Sequence, residues 1–329
     1  MTMAVFFKLL AIFIVVGLGY VAGRMRWLGD ERKGADPART LSNAAFYVFV
    51  PALLFRTTSR LPFGSLPWST LIAFFVPVLA LLLGVYAWQR RSHRARGLPT
   101  AAPSVRAISA TFGNTLQVGV PMASALFGEA GLAIHITIIS LHALTLLLVL
   151  TTLVEVDLAR AHAVHQGHDL LRTLKTTLRN TIVHPVVLPV LAGMAWNAGG
   201  VPLPPVFDEA LELLGTAVVP LCLVLIGMSL AYYGVRGGLE GAIGMSALKL
   251  LALPALVLAV GHWGFGLHGL PLQVVVMAAA LPVGSNALIF SQRYETLEGE
   301  TTATIVISTF GYALTAPLWL WVLSWTWWA

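Results

Sequence analysis

Charged residues are what this chain has least of: Asp, Glu, Lys and Arg make up 10% of its 329 residues, against about a quarter in an ordinary soluble domain. With a hydrophobic content of 57% and a mean hydropathy of +0.82, that scarcity excludes a water-soluble globular domain and describes a polytopic helical membrane protein. Acidic residues are scarcer than basic ones, 14 against 20, for a formal net charge of +6. The basic residues lie in short loops between apolar runs, so they read as an orientation signal and not as a surface for nucleic acid. Cysteine is almost missing. The single Cys222 falls inside an apolar run, which excludes a disulfide framework and a thiolate metal site. No His-Glu-x-x-His occurs and no acidic pair faces itself across the apolar runs. The residues of an intramembrane enzyme are therefore lacking, and no catalytic residue, metal or cofactor is expected.

What the chain does have is long apolar runs. A bilayer core takes about 20 apolar residues per helix. On that measure spans fall near residues 4–22, 38–57, 67–89, 104–127, 131–155, 179–198, 209–233, 238–265, 271–292 and 301–325. Arg24, Arg26, Arg32 and Lys33 directly follow the first run, which reads as a retained span and not as a cleaved leader. Further Lys and Arg cluster after the third and fifth spans, with Arg236 and Arg293 after the seventh and ninth. The opposite side carries Arg56 and Arg60. By the positive-inside rule both termini are expected outside the cytoplasm. The hydrophilic stretch 156–178, which splits the ten spans five and five, is expected within it. An odd number of spans per half turns the second half upside down relative to the first. The expected fold is all-α: two inverted five-helix repeats, 1–155 and 179–329, joined by the short cytoplasmic loop 156–178.

Two of the spans are interrupted. Thr111-Phe-Gly-Asn-Thr-Leu-Gln-Val-Gly-Val-Pro-Met122 breaks the fourth, and Ala280-Leu-Pro-Val-Gly-Ser-Asn286 breaks the ninth. Pro121 and Pro282 each remove a backbone donor, while Gly113, Gly119 and Gly284 loosen the turns around them. In lipid a broken helix is tolerated where it is buried in protein or lines a watery cavity. The halves echo each other elsewhere too. Phe49-Val-Pro51 in the second span matches Val218-Val-Pro220 in the seventh, and Gly128-Glu129 before the fifth matches Glu298-Gly-Glu300 before the tenth. Inverted repeats with paired broken helices are the mark of an alternating-access carrier whose substrate sits where the breaks cross.

Asn114-Thr-Leu-Gln-Val-Gly-Val-Pro121 resembles the Asn-Thr-Leu-x-x-Gly-Ile-Pro element of the auxin efflux carrier family, which includes plant carriers and bacterial malonate or malate permeases. Leu281-Pro-Val-Gly284, with Phe290 and Tyr294 downstream, is similar to the family's ninth helix. Leu41-Ser-Asn43-Ala-Ala-Phe-Tyr-Val-Phe-Val-Pro51 is similar to its second. The resemblance implies a scaffold of helices 1, 2, 6 and 7, often dimeric, and a mobile transport unit of helices 3–5 and 8–10, an architecture shared with the bile-acid sodium symporters. The central loop is far shorter here than in most plant members, and Gln117 stands where the family often has an apolar residue.

A half-helix that starts after a break presents free N–H groups and the positive end of a dipole. Two such ends meeting suit an organic carboxylate. Asn114, Gln117, Ser285 and Asn286 are the candidate substrate contacts, with Asn43 added from the second-helix motif, and capping of the broken backbone is their structural alternative. Gly119, Pro121, Pro282 and Gly284 build the breaks. Lys249, mid-span, either balances substrate charge, stands in for a coupling cation, or reaches toward the interface. His135 and His142 share a helix face, as a proton relay or as interhelical hydrogen-bonding groups. His162, His165 and His168 read as a solvated segment rather than a metal site. Trp319, Trp321, Trp325, Trp327 and Trp328 read as an interfacial belt.

The expected function is secondary transport of a small organic anion, a mono- or dicarboxylate, by an elevator motion in a bacterial inner membrane, as a homodimer formed through the scaffold. A bile-acid-type sodium symporter and a carboxylate receptor without transport are the alternatives. The broken spans carry no Asp or Glu near their breaks, which counts against sodium.

Overall fold

The computed structural model describes residues 3–29, 36–60, 67–166, 183, 185, 187–233 and 238–324. They are mainly helical: α1 Met3–Arg24, α2 Pro37–Ser59, α3 Trp68–Arg96, α4 Ala102–Thr111, α5 Val120–Gln166, α6 Val187–Ala198, α7 Pro205–Tyr233, α8 Leu239–Gly264, α9 Gly269–Ala280, α10 Asn286–Arg293 and α11 Glu298–Leu323. Among the described residues six helices are long and apolar enough to cross a membrane, within α2, α3, α5, α7, α8 and α11, and shorter apolar ones lie at Phe13–Arg24, Val187–Ala198 and Gly269–Ala280. The described residues include no strand, only an isolated bridge between Gly113 and Val283.

Proline shapes these helices. Three π-turns, Ala45–Phe49, Thr115–Gly119 and Leu248–Ala252, each lie immediately ahead of a proline at the second position of the following helical segment: Pro51, Pro121 and Pro254. A proline ring clashes with the carbonyl four residues back and offers it no N–H, and a wider turn accommodates both. Pro77, Pro220 and Pro317 are taken within their helices without one. At the start of α2, Asp36 accepts from Arg39 N at 2.9 Å and Pro37 opens the first turn.

Two packed groups emerge. α1 packs most heavily on α7, and α2 on both α7 and α6. Small residues make the first contact close: a Cβ on Gly19 would collide with the Val224 backbone, and one on Gly227 with that of Val16. The other group holds α3, α4, α8, α9 and α11. There α9 is apolar all round and buried from Val274 to Ala280, as befits a helix inside a bundle. Arg106 of α4 forms a two-pronged ion pair with Glu300 of α11 at 2.7 and 2.8 Å. Trp319 belongs to this core and not to an interfacial belt: it is buried, and its indole N–H donates to Leu250 O at 2.8 Å. Trp321 is exposed, and Trp325, Trp327 and Trp328 lie outside the described residues.

α5 is two helical stretches that meet at a sharp corner at Gly128 (φ 63°), a backbone conformation that glycine adopts without strain. It continues as helix past Val156 to Gln166. His168 and the side chains of His162 and His165 lie outside the described residues.

Candidate functional site

The two breaks meet. α4 stops at Thr111, where Phe112 turns extended (ψ 109°), and α9 stops at Ala280, where Leu281 does the same (ψ 149°). The unwound residues then run antiparallel past each other. Asn114 N donates to Pro282 O at 2.7 Å, and Gly284 N donates to Phe112 O at 2.9 Å. Val283 N donates to Ser308 Oγ on α11 at 3.0 Å. Each helix thus supplies partners that the other's broken backbone would miss in an apolar interior. Gly284 is required for this approach, since a Cβ there would stand 2.8 Å from Gly113 O.

The π-turn after the first break is pinned from outside. Gly119 N donates to Asn114 O at 3.1 Å, and His135 Nε2 lies 2.9 Å from Thr115 O. A Cβ on Gly119 would strike the His135 ring. Behind the crossing, fully buried Lys249 donates from Nζ to Ala279 O at 2.5 Å. It places a cation at the C-terminal end of α9, where carbonyls lack intrahelical donors and the dipole is negative.

In front of the crossing is a cavity of about 390 Å³. Its polar wall is Asn114, Thr115, His142, Ser285 and Asn286; its apolar wall includes Leu53 and Leu54 of α2, Ile136, Ile139 and Ala143 of α5, and Val218 and Val219 of α7. Among the described residues no Asp, Glu, Lys or Arg lines it. Thr57 and Thr58 also border it, but their hydroxyls donate to Leu53 O and Leu54 O at 2.7 and 2.8 Å within α2. One turn from the cavity, Arg56 pairs with Asp208 and Glu212 of α7 at 2.9 and 2.6 Å. The Asn114 carboxamide oxygen and His142 Nδ1 are buried without a hydrogen-bond partner. No group of three His, Cys, Asp or Glu among the described residues is placed to hold a metal.

Asn114, Ser285, Asn286 and His142 therefore come together on one cavity. Asn43 does not join them; it is exposed on α2 and absent from the cavity wall. Lys249 is near the crossing but behind it. His135 serves the π-turn. The side chains of Gln117 and Pro121 lie outside the described residues. The walls at Leu53, Leu54, Val218 and Val219 were not singled out from sequence, although they adjoin Pro51 and Pro220, the matched prolines of the two halves.

The family model described as membrane transport protein matches residues 4–320. The transporter YfdV of Escherichia coli K12, uncharacterized by its name, is 26% identical over 95% of this chain and 96% of its own. A protein of Rhizobium meliloti provisionally named for malonate transport is 24% identical over 91% and 90%. Auxin efflux carrier component 8 of Arabidopsis thaliana is 25% identical over 93% of each. With helices that can cross a membrane and a match along nearly its whole length, this chain belongs to the membrane transport protein family that includes the auxin efflux carriers.

Proposed function

We propose that this transporter is a secondary carrier of a small organic anion, which it holds in the cavity at the crossing. The single observation that carries the reading is the convergence of Asn114, Ser285 and Asn286 beside the start of α10, which has no side-chain cap from Ser285. Free helix N-termini and amide donors suit a carboxylate. Relatives carry names that point to a dicarboxylate and to auxin. The cavity favours a monocarboxylate with an apolar body: a second carboxylate would meet Leu53, Leu54, Val218 and Val219 with no cation to match it.

The motion we infer is of elevator type. α3, α4, α5 and α8–α11 move as one body against α1, α2, α6 and α7, within ten spans arranged as two inverted five-helix repeats. The protein would sit in a plasma membrane, the inner membrane of a bacterium, with both termini outside the cytoplasm, as a dimer through its static helices. Lys249 takes the place of a coupling cation at the end of α9, so transport runs without sodium. The buried ammonium and the lack of any carboxylate on the cavity wall support this.

Uptake of labelled phenylacetate, indole-3-acetate and malonate into proteoliposomes, in sodium and in potassium, tests the reading. The expected result is uptake of the aryl acetates over malonate, equal in both salts. No flux of any of the three, or flux that needs sodium, would overturn it.

A further inference from the structure

Two histidines on α5, His135 and His142, share a face but differ in what surrounds them. His135 Nε2 meets Thr115 O and helps close the π-turn. His142, 2% exposed, lines the cavity between two aromatic rings: its centroid is 4.6 Å from that of Phe112, edge-on, and 6.2 Å from that of Phe74. Its Nδ1 is buried without a partner. Packing fixes the ring, yet nothing described satisfies that nitrogen. Such a group costs free energy in an apolar interior unless something completes it. The carboxamide oxygen of Asn114, a residue of the same wall, is likewise buried without a partner.

A relay between the two histidines does not fit the spacing. Seven residues of helix separate their backbones by about 10 Å, too far for direct proton transfer, and His135 is already committed to the backbone of the π-turn. An acceptor in the cavity can complete the His142 ring, whereas the Asn114 oxygen, itself an acceptor, needs a donor that a carboxylate lacks.

We propose that His142 is a direct substrate contact: its imidazole N–H donates to the carboxylate of the bound anion, beside Asn114, and so selects ligands whose polar head reaches the crossing. This rests on the carrier reading above. In that reading His142, Asn114, Ser285 and Asn286 all ride on the moving body, so the polar contacts travel with the substrate.

The test is binding of phenylacetate by calorimetry to the purified full chain, with His142→Phe and His142→Gln beside the wild type, and the melting temperature of each without ligand. Phenylalanine suits the aromatic surroundings but donates nothing, so His142→Phe is expected to bind about tenfold or more weakly. It is also expected to melt at or above the wild-type temperature, because an unmatched buried polar group has gone. His142→Gln, which keeps an N–H donor, is expected to recover most of the affinity. A merely structural histidine would give the opposite pair, a lowered melting temperature in His142→Phe and no rescue by glutamine, and that result overturns the proposal. So does wild-type affinity in His142→Phe. If the wild type itself binds neither phenylacetate, indole-3-acetate nor malonate, the carrier reading fails and this contact with it.

Discussion

The Lys249 ammonium donates to the Ala279 carbonyl at 2.5 Å, one residue short of the end of α9 and out of reach of solvent. A built-in amine donor there does what a bound ion does elsewhere: it satisfies a carbonyl at the open end of a half-helix. The first prediction follows. Lys249→Met, close in length but uncharged, leaves that carbonyl unmet and is expected to cost about 1–3 kcal/mol of stability. Melting curves of the variant beside the wild type make the check, and an unchanged melting temperature would reduce Lys249 to a space-filling role.

A second prediction concerns Asn114. Asn114→Ala is expected to weaken anion binding by about 1–3 kcal/mol, the usual cost of leaving a buried polar partner unmet. Asn114→Asp is expected to be worse, since it sets one negative charge against another in a poorly screened site. Both should melt near the wild-type temperature, because the bonds that hold the crossing here run through the Asn114 backbone, to Pro282 O and from Gly119 N. Affinity measured beside melting temperature separates the outcomes. Normal binding by Asn114→Ala, or weak binding explained by unfolding, moves the site elsewhere.

Glycine substitutions give a matched pair. Gly284→Ala would press a methyl group 2.8 Å from Gly113 O and force the two breaks apart, at a cost of about 1–3 kcal/mol and with loss of transport. Gly244→Ala, in the α8 helix with open space around it, is expected to stabilise by up to about 1 kcal/mol and leave transport alone. Denaturation and flux on both variants would show whether close approach at the crossing is what Gly284 provides. Equal effects would argue against it.

Orientation is open to labelling. Cys222 is buried, so it should contribute little background to thiol reagents. Cysteines placed at Trp27 and Arg91 are expected to react only from the cytoplasm, and one at Pro202 only from outside. The reverse pattern would overturn that orientation, and labelling of the Trp27 and Pro202 positions from the same side would sink the inverted arrangement.

Much of the crossing was readable from residues alone, because at both breaks Pro and Gly cluster with Asn inside an apolar run, whereas lone prolines such as Pro77 and Pro220 are carried within their helices. What could not be read is instructive. Gly113 and Val283 pair across 170 residues of sequence separation or so, and no local pattern announces which unwound residues will exchange backbone bonds. His135 and His142 carry the same chemistry at helical spacing; only the position of Thr115 decides which one is occupied. Trp319 looks like its neighbours in a tryptophan-rich tail, yet its indole finds the Leu250 carbonyl that Pro254 cannot bond. Asn43 joined the candidates by motif, and its helix face points it away from the cavity wall. The cavity's far wall was hidden because Leu, Val and Ile in a membrane segment look alike whether they face lipid, core or ligand.

That wall has a consequence for speed. The residues α7 lends to the cavity, Val218 and Val219, are hydrocarbon, as are Leu53 and Leu54 of α2, and Thr57 and Thr58 have already spent their hydroxyl hydrogens on their own helix. In the proposed motion the cargo's polar head never has to let go of one directional bond to find the next. Its apolar body passes over a surface on which neighbouring positions are nearly equal in energy, since dispersion contacts are weak singly and have no preferred direction. Friction between the moving and static bodies is then set by side-chain shape instead of by bond rupture, and polar residues introduced on the static wall would act as a brake.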